Sequence, residues 1–83
     1  MNSNDKSPTT KTLYLIDYWL SDGLLILIAE NDPEAMQILM DEEGLYIEDG
    51  EGSKEQFTKN VISAQKFRLT DDYESGIIEV FCP

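Results

Sequence analysis

The 83-residue chain has the length of one small domain, and its 41% hydrophobic and 28% charged residues are typical of a folded globular protein. Seventeen Asp and Glu against six Lys and Arg give a formal net charge of -11. Binding to nucleic acid or to an anionic membrane requires basic residues, so this charge argues against both as direct partners. If charge guides recognition, the partner is a basic protein.

The N-terminal residues 1–11 are polar and lack the apolar segment of a signal peptide, so they predict a disordered leader before a single domain over residues 12–83. Polar residues interrupt the apolar stretch 13–29, which makes it a poor membrane-spanning helix. The chain has one cysteine, Cys82, and therefore no internal disulfide. A cytoplasmic location is the expected one.

The first predicted structure is a β-hairpin. Residues 12–20 and 24–30 are rich in aliphatic, β-branched and aromatic side chains, which is typical of strands. Between them, residues 21–23 (Ser-Asp-Gly) are typical of a tight turn, because Gly23 can adopt a positive φ.

A helix is predicted next. Asp32 can cap its first turn and Pro33 suits the first helical position, while Gly44 is expected to end it. Residues 45–47 are compatible with a short strand or with an extended segment.

The segment after the acidic loop 48–53 has two interpretations. Ser53 and Gln56 match a capping box, and Phe57 and Val61 follow at helical spacing, which favours a second short helix. The β-branched residues of the segment keep a strand from Val61 as the alternative, so the state of residues 54–65 stays open.

Two further strands are predicted over residues 66–69 and 76–82. The expected fold is therefore α+β, with a small antiparallel sheet made of the N-terminal hairpin and the C-terminal strands. The sheet packs on one or two short helices in the order ββα(α)ββ.

Both faces of the hairpin are apolar, which is unusual for a small antiparallel sheet. If Leu20 pairs with Leu24 across the turn, even-numbered residues of both strands share one face and odd-numbered residues share the other. We expect the even face to meet the helices. The odd face then forms a partner-binding surface, made of Leu13, Leu15, Asp17, Trp19, Leu25 and Leu27.

Two residues shape this expectation. Trp19 would be an interface anchor, and Asp17 an inward-pointing charge that blocks aggregation. The alternative is that the first helix and the segment 45–65 cover both faces within the chain.

The sequence largely lacks the residue types that common catalytic and metal sites require. Without histidine, the commonest general base and metal ligand are missing, and one cysteine excludes Cys-rich zinc sites. The loop from Asp49 fails the EF-hand pattern, since Lys54 stands where that pattern needs Gly. We therefore expect no catalytic residue, no metal, no cofactor and no enzymatic activity.

Acidic residues cluster where loops and helix ends are predicted: Asp41, Glu42, Glu43, Glu48, Asp49, Glu51, Asp71, Asp72 and Glu74. The simplest interpretation is that they keep the protein soluble. The expected function is a non-enzymatic interaction module that associates with itself, as a homodimer, or with another protein through the apolar hairpin face. The alternative is an acidic inhibitor or DNA mimic, of the anti-defence or immunity type, that binds a basic nucleic-acid-binding protein.

Overall fold

The computed structural model describes residues 10–20 and 22–82. In chain order its elements are β1 (Thr12–Asp17), β2 (Leu24–Ala29), α1 (Asp32–Asp41), α2 (Lys54–Ser63), β3 (Gln65–Arg68) and β4 (Gly76–Phe81). The α+β class and the element order are confirmed, and residues 54–63 form the helix rather than the alternative strand.

The strands form one antiparallel sheet in the order β3-β1-β2-β4. The hairpin thus supplies the two central strands, and the C-terminal strands add one edge each. A β-bulge at Ile78 interrupts the pairing of β4 with β2, since Ile26 pairs with Glu79 and Leu27 with Ile77.

The predicted leader is only partly described. Residues 1–9 lie outside the described part of the chain, whereas the Lys11 carbonyl accepts a hydrogen bond from the Leu69 amide at 2.9 Å. The hydrogen bonding between β1 and β3 therefore continues to Lys11, beyond the paired residues Thr12 and Arg68.

The predicted pairing of the hairpin is wrong. Asp17 pairs with Leu24 and Leu15 with Ile26, so odd residues of β1 lie opposite even residues of β2. The Tyr18 amide donates to the Gly23 carbonyl at 3.1 Å, so four residues of the sequence connect this pair. An even number of connecting residues reverses the faces of one strand relative to the expected three-residue turn. Gly23 does not have the positive φ expected of it, and Ser21 lies outside the described residues.

The Trp19 side chain explains the longer loop. Its indole is 6% exposed and packs on Phe57 of α2, with ring centroids 4.5 Å apart. Burial of this large side chain between the hairpin and α2 contributes roughly 1.5–3 kcal/mol to the free energy of folding. The buried indole Nε1 has no hydrogen-bond partner among the described residues, which reduces this gain.

Both helices pack on the same face of the sheet. The buried cluster contains Tyr14 and Ile16 of β1, Leu25, Leu27 and Ala29 of β2, Ala35 and Leu39 of α1, and Phe57 and Val61 of α2, together with Trp19. In β1 the even residues meet the helices, as expected. In β2 the odd residues do so, contrary to expectation.

The ends of the helices differ partly from the prediction. The N-cap of α1 is Asn31, whose side chain accepts from the Glu34 amide at 2.9 Å, while the Asp32 carboxylate accepts from the Tyr14 hydroxyl at 2.7 Å. The helix ends at Asp41, before Gly44. Asp32 therefore does not cap the helix, because its carboxylate is the hydrogen-bond acceptor of the buried Tyr14 hydroxyl.

The second helix begins as predicted. Ser53 is its N-cap and accepts from the Gln56 amide, but the Gln56 side chain donates to Asn60 and does not complete a capping box. Residues 45–47 form no strand, and the Ile47 amide instead donates to the Gly52 carbonyl at 2.7 Å.

We expect Gly52→Ala to destabilise the fold more than Gly50→Ala. Both glycines have positive φ, 93° and 79°, which costs an L residue about 1–2 kcal/mol. A Cβ at Gly52 would also lie 2.8 Å from the Leu45 carbonyl oxygen and 3.3 Å from Trp19 Nε1, whereas one at Gly50 meets nothing. Urea unfolding of the two variants measures the difference, and equal losses would contradict this packing.

We expect stability to decline above about pH 10, and Tyr14→Phe to reduce that decline. Burial, then the hydrogen bond to Asp32, raise the pKa of the Tyr14 hydroxyl above its ordinary value of 10.0. The unfolded chain therefore releases this proton at lower pH than the folded one, so stability is unaffected below pH 10 and falls above it by up to ~1.4 kcal/mol per pH unit.

Urea unfolding at a series of pH values up to about pH 11 measures this effect. Near neutral pH the variant loses about 1 kcal/mol with its hydrogen bond. Tyr73→Phe is the control, since Tyr73 is an exposed phenol. An alkaline decline equal in Tyr14→Phe and the wild type would contradict the assignment.

Candidate interaction surface

No helix or strand of the described residues covers the sheet face turned away from the helices; we call it the open face. Strand alternation and pairing place on it the side chains of Leu13, Leu15, Asp17, Leu24, Ile26, Ile28, Gln65, Phe67, Glu79 and Phe81.

The open face is a grid of three rows that run from β3 to β4. The first row is Phe67, Leu13, Ile28 and Gly76; the middle row is Gln65, Leu15, Ile26 and Glu79; the last row is Asp17, Leu24 and Phe81. The last row has no β3 member, because β3 begins at Gln65.

Within the sheet, the most exposed apolar side chains lie on the edge strands. Phe67 is 51% exposed and Phe81 52% exposed, and they occupy diagonally opposite corners of the grid. Ile78, the additional residue of the β-bulge, is 53% exposed. In the centre, Ile28 is already buried, while the remaining apolar residues of the face, Leu13, Leu15, Leu24 and Ile26, are half-buried.

The empty corner of the last row forms a shallow depression. It is lined by Leu15, Asp17, Leu24, Ser63, Ala64 and Gln65. The Asn60 side chain of α2 donates to the Asp17 carbonyl at 2.9 Å and fixes the end of β1 beside it. The face therefore carries one recess and two protruding aromatic side chains.

Charge is sparse on this surface. Asp17 and Glu79 are its charged residues, and both are exposed. Lys66 and Arg68 of β3 lie on the opposite face, where the Lys66 ammonium lies 5.6 Å from the Tyr14 ring centroid and donates to the Ile62 carbonyl at 3.0 Å.

The partner-binding residues predicted from the sequence divide between the two faces. Leu13, Leu15 and Asp17 lie on the open face. Trp19, Leu25 and Leu27 lie in the core against the helices, so Trp19 is no exposed anchor. This correction follows directly from the register of the hairpin.

Sequence reasoning missed the most exposed members of the surface, Phe67 and Phe81. Their placement depends on which edge each C-terminal strand joins, which no local pattern in the sequence indicates. A correct hairpin register would have identified Leu24 and Ile26 from alternation alone.

The predicted acidic residues are all exposed, but they lie at two ends of the molecule. The loop holding Glu48, Asp49 and Glu51 lies beside the hairpin loop, since Gly52 adjoins Trp19. Asp71, Asp72 and Glu74 lie at the other end, where Lys11 bonds the Tyr73 carbonyl and Ser75 bonds Glu34 at the start of α1. The structure does not bring them into one patch.

Other chemistry is limited in the described residues. None of their His, Cys, Asp and Glu side chains form a group of three that could hold a metal ion, and no helix among them is long and apolar enough to cross a membrane. Cys82 is exposed, and burial together with this neighbouring thiol raises the pKa of the Tyr18 hydroxyl.

Comparisons with protein-family models, with curated proteins and with solved structures gave no match.

We expect Leu15→Asp and Leu25→Asp to differ sharply in stability. Leu25 is fully buried among the helices, so a carboxylate there costs more than about 3 kcal/mol. Leu15 lies on the open face and is half-buried, so the same change costs about 1 kcal/mol. Thermal unfolding by circular dichroism measures both variants, and similar losses would contradict the two-faced sheet.

Proposed function

We propose that the protein is a non-enzymatic interaction module that associates with itself or another protein through the open face. The observation that supports this proposal is the mainly apolar face of a four-stranded sheet, with both helices on the opposite side. Exposed apolar patches of this extent are typical of protein interaction sites.

The free energy of association would come from side chains that are still in contact with water. A Phe side chain buries about 150–250 Å² when fully covered, so covering the exposed half of Phe67 or Phe81 contributes about 2–3 kcal/mol each. These two corners supply a large part of the free energy available to a partner.

The acidity has a supporting role in this proposal. The net charge of -11 keeps the chain soluble while an apolar face is exposed. Most carboxylates lie in the loops and at the helix ends, and Asp17 and Glu79 are the two on the open face.

We expect the double variant Leu15→Asp/Ile26→Asp to lose association, with itself or with a purified partner. Two carboxylates at the centre of the face would have to be desolvated on binding. Ile62→Asp is the matched control, because Ile62 is 64% exposed on α2 and lies outside the open face. Sedimentation velocity measures association, and equal loss in the control, or none in the double variant, would contradict the proposal.

Salt dependence distinguishes this function from an acidic inhibitor. From about 0.01 M to 1 M salt the Debye length falls from roughly 30 Å to roughly 3 Å. Association through the apolar face is expected to persist or strengthen over this range, because repulsion between acidic chains is screened. Binding that weakens steeply with salt would contradict the open-face proposal and favour a charge mimic.

A further inference from the structure

We infer that the occupant of the open face is a second copy of this chain, stacked face to face about a twofold axis parallel to the strands. This inference rests on the proposed function and specifies its partner. It follows from the shape of the grid, whose protruding corners meet recessed corners when two copies stack face to face, and from the middle row, which selects the axis.

The operation exchanges the two edges of the sheet and keeps each row opposite itself. Phe81 of one copy then lies over the corner that lacks a β3 residue in the other, which is the depression beside Ala64. Phe67 lies over Gly76, which has no side chain, with Ile78 next to it. Each large ring thus meets the smallest position on the opposing surface, as close packing requires.

The middle row favours the axis parallel to the strands over a twofold axis perpendicular to them. A parallel axis places the Gln65 amide opposite the Glu79 carboxylate of the other copy, where the amide can donate a hydrogen bond. An axis perpendicular to the strands would instead place Glu79 opposite Glu79, and like charges in contact are unfavourable. In the centre, Leu15 meets Ile26 under the parallel axis.

The size of the face fits a weak dimer. With strands ~4.8 Å apart and ~3.3 Å per residue, the four strands cover roughly 350–400 Å² in projection. This projection is about half of the ~800 Å² of accessible surface that each partner buries in a standard interface. Aligned sheets pack about 10 Å apart and within about 30°, so no element of either copy has to move.

Electrostatic repulsion between two chains of charge -11 weakens this dimer, so its dissociation constant depends on ionic strength. The expected dissociation constant is micromolar or weaker at low ionic strength, and dimerisation strengthens as salt is added.

A charge exchange tests the axis, with sedimentation equilibrium as the measurement. Gln65→Glu places two carboxylates in contact and is expected to raise the dimer dissociation constant at least tenfold. The exchange variant Gln65→Glu/Glu79→Gln restores the carboxylate–amide pair under the parallel axis, so its dissociation constant returns to within about threefold of the wild type. Under the perpendicular axis the exchange places the new β3 carboxylates of the two copies opposite each other and gives no recovery, which would overturn the inferred arrangement.

Chemical cross-linking gives an independent readout in a Cys82→Ser background. A short bismaleimide is expected to join a mixture of Gln65→Cys and Glu79→Cys chains and to join neither variant with itself. Self-linking of the Glu79→Cys chain, without linking in the mixture, would overturn the parallel axis.

Failure of this inference can be told from failure of the proposed function. If the wild type sediments as a monomer at every concentration, yet Leu15→Asp/Ile26→Asp abolishes binding to a purified partner that Ile62→Asp retains, the second copy is wrong and the open face remains the binding surface. If the double variant behaves as the wild type in every assay, both are wrong.

Discussion

Burial of the Trp19 indole against Phe57 determines the arrangement of the rest of this molecule. Four residues of the sequence connect Tyr18 with its partner Gly23, and this even number sets the register of the central strands. The register in turn selects which leucines and isoleucines meet the helices. A one-residue shift would exchange the buried and open sets of β2, with Leu25 and Leu27 leaving the core.

The position of the two helices explains why one apolar face stays uncovered. The two helices are ten residues each, and they pack together on the face that holds Tyr14 and Leu27. The crossover from β3 to β4 joins opposite edges of the sheet and adds no helix to the other face. The described residues hold no further element with which to cover a second face, so an apolar surface there favours recognition by another protein.

The sequence predicts the architecture well because its signals are local. Ser53 as a cap, the periodicity of Phe57 and Val61, and the apolar strands each depend on a few neighbouring residues. The surface itself is less predictable, since it depends on one loop length and on the edges that β3 and β4 join. Trp19 illustrates the difference: its size suggested an anchor for a partner, whereas its partner is Phe57 in the same chain.

The claim that a second copy covers the open face is tested most directly by isotope-filtered nuclear Overhauser spectroscopy on a mixture of labelled and unlabelled chains at moderate salt. We expect intermolecular contacts between the Phe81 ring and the Ala64 methyl group, and between the Phe67 ring and Ile78. Intermolecular contacts confined to the helices or the acidic loops, or none at concentrations where the protein sediments as a dimer, would contradict it.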